Sequence, residues 1–167
     1  MHWTLRLGRR PRTPKAEARR IQGQSMRLNR AGRAAFAAAC AQRLIAAAPH
    51  ESLSEASHLL DDVWASLVGE PHRLGPARVQ AVSDRILRDN DPAFETAYDA
   101  ALAAVVHAAR AALSGHRRFA PWASECALNA AAARDEQALE LTRQAGDLRA
   151  LQGVLTWPAV IVQLRAP

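Results

Sequence analysis

Ser52-Leu-Ser-Glu-Ala-Ser-His-Leu-Leu-Asp-Asp-Val-Trp-Ala-Ser-Leu-Val-Gly69 is the stretch whose spacing decides the fold class. Ser52 and Glu55 stand three apart, the separation at which an N-cap hydroxyl and an N3 carboxylate satisfy each other's backbone donors. Leu53, Leu60, Val63, Trp64 and Leu67 recur along one helical face, while Glu55, His58 and Asp62 fall on the other. Gly69 supplies the stop, since glycine takes the left-handed turn that ends a helix. The pattern predicts an amphipathic helix with one buried side and one wet side.

The neighbouring segments repeat this grammar. Before it, Asn29 can cap a helix from Arg30 to Ala48, in which Phe36, Cys40 and Leu44 fall at four-residue intervals and Pro49 blocks continuation. After it, Gly75-Pro76 opens a short helix carrying Val79, Val82 and Ile86. Asp91-Pro92 pairs an acceptor with a proline at the first helical position and predicts a helix running to about Leu113, closed near Gly115. It would bury Phe94, Tyr98, Leu102, Val105, Ala109 and Leu113. Pro121 opens a fifth helix, with Trp122, Cys126, Asn129 and Ala133 in line; it either breaks near Asp135 or runs on toward Gly146. Residues 148–167 read as strand-like or irregular, because Pro158 interrupts any single helix there. The expectation is an all-α bundle of five or six helices.

Composition agrees. The 167 residues include 38 alanines, the best helix former and a poor strand former, and aromatics make up only 5%. Hydrophobic residues at 49% and charged residues at 23% are ordinary for a globular protein and exclude collagen, a disulfide scaffold and disorder throughout. The most apolar stretch, Ala100 to Leu113, is interrupted by His107 and Arg110, so no membrane span is expected. Two cysteines, Cys40 and Cys126, stand far apart among alanines, which reads as buried free thiols in a reducing cytoplasm.

Charge is unevenly placed. The net charge is +6, yet residues 1–33 carry ten basic side chains against Glu17 alone, and the rest of the chain is close to neutral at −3. Residues 1–28 are therefore expected to be a basic, disordered tail, with residues 29–167 as a single helical domain. Arg9, Arg10, Arg12, Lys15, Arg19 and Arg20 would be its phosphate-binding candidates, by a salt-sensitive mechanism. The competing readings are a targeting peptide, which Trp3, Leu5 and Leu7 are too few to support, and a true start at Met26.

The runs Arg33-Ala-Ala-Phe-Ala-Ala-Ala-Cys-Ala-Gln-Arg-Leu44, Leu59-Leu-Asp-Asp-Val-Trp-Ala-Ser-Leu-Val-Gly69 and Ala97-Tyr-Asp-Ala-Ala-Leu-Ala-Ala-Val-Val106 resemble the YjaG-like family, small all-helical bacterial proteins of unknown function. The resemblance spans about residues 30–145. A similar layout occurs in helical immunity proteins of bacterial toxin systems. Both imply a helical fold, and neither carries a catalytic motif onto any position of this chain.

Chemical motifs are sparse. Glu55-Ala-Ser-His58 has the Glu-x-x-His spacing of helical di-iron proteins, but no second copy exists, and the pair falls on the wet face. His50, His72 and His116 fall at loops or helix ends, and His107 on the polar side of its helix. There is no phosphate loop and no GxSxG or HExxH motif. No cofactor and no metal are expected. Asn129 lies on the apolar stripe of the fifth helix, where it would fix register or, with His107, touch a ligand in an interhelical pocket. Trp64 and Trp122 read as core residues, with an interface anchor as the alternative. The function expected is a non-catalytic, cytoplasmic helical protein acting on an unidentified protein partner, with toxin neutralisation as one form. The alternatives are nucleic-acid binding through the tail, and a small-ligand binder or enzyme.

Overall fold

The structure, a computed structural model, describes residues 13–48, 53–89, 96–152 and 157–165. Among these, eight α-helices and one 3-10 turn are present and no strand. They are α1 (Pro14–Arg27), α2 (Arg30–Ala47), α3 (Ser54–Leu67), α4 (Pro76–Asp89), α5 (Ala97–Ser114), α6 (Phe119–Ala132), α7 (Gln137–Gln152) and α8 (Trp157–Arg165), with the 3-10 turn Pro71–Arg73 between α3 and α4. The all-α class is as expected, but the count of five or six was low because residues 14–27 and 157–165 are also helical.

At the N-terminal end, Pro14 sits in the first turn, where its missing N–H is no loss, and Thr13 Oγ1 accepts from Ala16 N at 3.3 Å. The amphipathic helix so formed lies against α6 and α7 and buries Ile21 and Ser25 completely. Residues 14–27 are thus part of the fold, which corrects the expected disordered tail over that span; Arg9, Arg10 and Arg12 lie outside the described residues. At the C-terminal end, Pro158 is in the first turn of α8, where proline is tolerated rather than disruptive, and Val160, Ile161 and Leu164 are buried. The strand-like reading of Ala159 to Leu164 is corrected accordingly, while Val154 and Leu155 lie outside the described residues.

Between them, Asn29 Oδ1 accepts from Gly32 N at 2.7 Å and starts α2 where the sequence placed it. Ser52, Asp91-Pro92 and Phe94 lie outside the described residues. The described start of α5 is a capping box in which Thr96 Oγ1 accepts from Asp99 N at 3.1 Å and Asp99 Oδ2 accepts from Thr96 N at 3.2 Å. Gly115, at φ 67°, closes α5 in the left-handed region. α6 begins at Phe119, so Pro121 is inside its first turn instead of opening it. The break near Asp135 occurs: Asp135 turns at φ 58°, and Glu136 N returns to Ala131 O at 2.8 Å.

α2 is the axis of the bundle, packed by α1, α3, α5, α6, α7 and α8. All eight residues from Ala34 to Ala41 are fully buried, and six of them are alanine. Small side chains let α5 and α6 approach closely, while Phe36, Trp64, Leu59, Leu60 and Leu148 fill the remaining volume.

Candidate functional site

α6 presents a different face to the core than its sequence suggested. Ala120, Ala123, Ser124, Ala127, Leu128, Ala130 and Ala131 are its buried residues. The line Trp122, Cys126, Asn129, Ala133 therefore points outward: Trp122 is 40% exposed, Cys126 half-buried and Asn129 exposed. Alanines occupy both sides of this helix, so apolar periodicity alone could not choose between them. Asn129 is exposed and so is not a buried register group, which corrects that expectation.

His107 moves the other way. It sits on α5 between two rings of α6, with its centroid 6.0 Å from Phe119 and 5.4 Å from Trp122. Phe119 meets Trp122 edge-on at 5.6 Å, and His116 meets Phe119 edge-on at 5.6 Å. His107 Nδ1 is buried without a hydrogen-bond partner. Burial, aided by the charge of Arg110 one turn on, lowers its pKa to about 4, so it is neutral at physiological pH. His107 is thus an aromatic packing residue, not the surface histidine expected.

The loop after α5 is fixed by arginines from the start of α2. Arg30 donates from Nη2 and Nε to Ala112 O at 2.8 and 3.1 Å and from Nη2 to Leu113 O. Arg33 donates to Gly115 O at 2.7 Å and also to Leu28 O. Both cations occupy the negative end of the α5 dipole, where a cation is favoured by roughly 0.3–1 kcal/mol. His116, Arg117 and Arg118 project from the loop so held, and all three are exposed. The α5–α6 end of the bundle thus combines an exposed indole, a rigid aromatic support and a run of basic side chains.

The buried polar chemistry lies elsewhere, between α2, α6 and α7. Arg43 pairs with Glu140 at 2.9 Å and with Asp147 at 2.9 Å. Gln144 Nε2 donates to Glu140 Oε1 at 2.9 Å and to Ser124 O at 3.3 Å, while Ser124 Oγ donates to Gln144 Oε1 at 2.6 Å. Burial raises the Asp147 carboxyl, partly offset by Arg43. The sequence holds one unread signal of this network: Glu140, Gln144 and Asp147 fall on one face of α7, beside the Leu141 and Leu148 stripe. Arg43, Glu140 and Asp147 are ion-paired with one another within the fold, the arrangement of a structural cluster.

The remaining candidates resolve one by one. Burial raises the Cys40 thiol well above its ordinary value and pushes Cys126 up to about 11, so neither is a nucleophilic thiolate at neutral pH. Glu55 pairs with Arg85 while His58 stays exposed, and among the described residues no cluster of three metal-ligating groups forms. Asp62, expected in water, is buried and paired with Arg73 at 3.2 Å and with Arg78. Trp64 is core, as expected, and donates to Gln42 at 3.3 Å. On α1, Arg20 is engaged by Glu17 and Gln24, and Lys15 and Arg19 are exposed. A cavity of about 350 Å³ lies among Arg30, Ala34, Leu67, Leu74 and Leu113, near the low end for ligand sites; neither His107 nor Asn129 lines it.

Among the described residues no helix is long and apolar enough to cross a membrane. Compared with protein-family models, curated proteins and solved structures, the chain matches none.

Proposed function

We propose that the protein is a non-catalytic binding module that docks a protein partner on its α5–α6 end, with Trp122 as the anchor. One observation carries this reading. In a chain with four tryptophans, Trp122 stands 40% exposed, held from below by Phe119 and His107. Tryptophan and arginine are the residues most enriched where interfaces concentrate their energy, and a preheld ring loses little entropy on docking. Toxin neutralisation is one concrete form of such an activity, in keeping with the layout this chain shares with helical immunity proteins.

The test is co-purification with the full chain and with Trp122→Ala, followed by identification of what is retained. Truncating an interface anchor costs about 2 kcal/mol or more, equivalent to a roughly 30-fold loss of affinity. Because the indole is partly exposed, the variant should keep its urea midpoint close to that of the parent, which excludes unfolding as the cause. Retention of the same stoichiometric partner with unchanged affinity would refute the anchor. Turnover of a substrate by the purified chain would refute the non-catalytic reading.

A further inference from the structure

The two longest stretches of this chain without a carboxylate are residues 18–50 and residues 100–124. In the linear sequence they are unrelated. The fold joins them, because α2 begins where α5 ends and Arg30 and Arg33 reach across to the last carbonyls of α5. One end of the bundle therefore gathers Arg27, Arg30, Arg33, Arg110, Arg117 and Arg118, and neither stretch supplies an acid to oppose them. The crowding is close enough to act on Arg33, whose pKa is lowered by burial and by the charge of Arg117. Arg27, Arg30 and Arg33 come from the basic first 33 residues, and Arg110, Arg117 and Arg118 from the otherwise near-neutral remainder.

Arg30 is committed to the Ala112 and Leu113 carbonyls of α5, and Arg33 to the Gly115 and Leu28 carbonyls. The guanidiniums of Arg27, Arg110, Arg117 and Arg118 engage no hydrogen bond or ion pair among the described residues. Arg27, Arg117 and Arg118 are exposed, and Arg110 is half-buried beside His107. Like charges held together without counter-charge destabilise the compact state by self-repulsion. A ligand supplying the missing negative charge relieves that repulsion and gains charge-assisted, forked hydrogen bonds.

We infer that the partner docked at this end presents a carboxylate-rich protein surface, whose acidic side chains meet Arg27, Arg110, Arg117 and Arg118 around the Trp122 anchor. The inference rests on the proposed docking at Trp122 and adds the chemistry of what docks there. A phosphate backbone fits less well. It needs a continuous basic track, whereas Glu125 is exposed one turn beyond Trp122 on α6 and Glu17 stands on α1. An acid-bounded basic cluster with an aromatic centre matches a compact protein epitope with a charged rim.

The experiment titrates the full chain against a fluorescent Glu-rich peptide and, separately, a single-stranded oligonucleotide of equal net charge, in low and moderate salt. The peptide is expected to bind, and R117E/R118E to weaken it by about tenfold. R85E/R149E, which makes the same change in net charge elsewhere, is expected to leave binding within about twofold. Equal weakening by both doubles would overturn the inference, because attraction would then follow total charge and not this surface. Oligonucleotide binding about tenfold tighter than peptide, lost in R117E/R118E, would overturn it in favour of nucleic acid. W122A separates the two levels. If W122A releases a protein partner that R117E/R118E retains, the anchor stands and the acidic epitope falls. If R117E/R118E abolishes peptide binding while W122A changes neither peptide nor partner, the acidic contact stands and the anchor falls.

Discussion

Protonating His107 places a charge between the rings of Phe119 and Trp122, where Nδ1 has no acceptor and Arg110 is already positive. Burial first, and then Arg110, lower its pKa from 6.5 to about 4. At roughly 1.4 kcal/mol per unit, the neutral ring contributes on the order of 3 kcal/mol of stability relative to a charged one. Because the unfolded chain takes up this proton first, the contribution is complete above the unfolded value near 6.5. It is lost progressively as pH falls toward 4. Against a total stability of roughly 5–15 kcal/mol this is a large share. Urea unfolding followed between pH 7 and pH 4.5 should show the parent losing stability faster than His107→Phe, which keeps the ring stack and has nothing to protonate. The gap between the two should widen by about 2–3 kcal/mol over that window. A His107 ring titrating near 6.5 by NMR, or a parent and variant that fall in parallel, would refute the reasoning.

Other parts of the fold yield sharper single-residue outcomes. Arg43→Met strands the buried Glu140 and Asp147 and should cost about 3–5 kcal/mol in urea unfolding, whereas adding Glu140→Gln and Asp147→Leu should recover most of it. Ile21→Ala should cost about 2–5 kcal/mol, and a chain begun at Met26, which lacks α1, should melt lower than the full chain in calorimetry. Gly115→Ala forces a left-handed alanine whose Cβ would lie 3.1 Å from Arg30 Cδ, and should lower the melting temperature by roughly 2–6 °C. Asn129→Ala, on an exposed helical face, should change stability by no more than about 0.5 kcal/mol.

The sequence was most legible where a helix has both a cap and a lopsided face. Asn29, Pro76 and Gly115 mark boundaries the structure keeps, and α3 buries Leu60, Val63 and Trp64 as its spacing requires. Legibility failed where alanine covers every side. On α6 the exposed and buried stripes are both small and apolar, so Asn129 and Trp122 were placed inward when both face out. It failed again where charge opposes charge through space. Asp62 looks solvent-seeking until Arg73 and Arg78, from the following turn and helix, close over it. Arg43 and Glu140 are 97 positions apart, and no local pattern joins them. Basic content misled at the N-terminal end, because Ile21 and Ser25 anchor a helix that charge counting alone reads as an arm.

α2 has a temporal consequence. Its middle, Ala34 to Ala41, is apolar on every side, a composition that suits only a helix enclosed by others. Yet it is made early, and the helices that enclose it from the far side, α5 and α6, are encoded much later. At synthesis rates of about 5–20 residues per second, the roughly 85 residues between the ends of α2 and α6 take on the order of 4–17 seconds to emerge. Until α5 is complete α2 has only α1 and α3 beside it, and until α6 is complete its enclosure is unfinished, so the nascent chain carries this apolar segment partly uncovered while a large part of the chain is still being made.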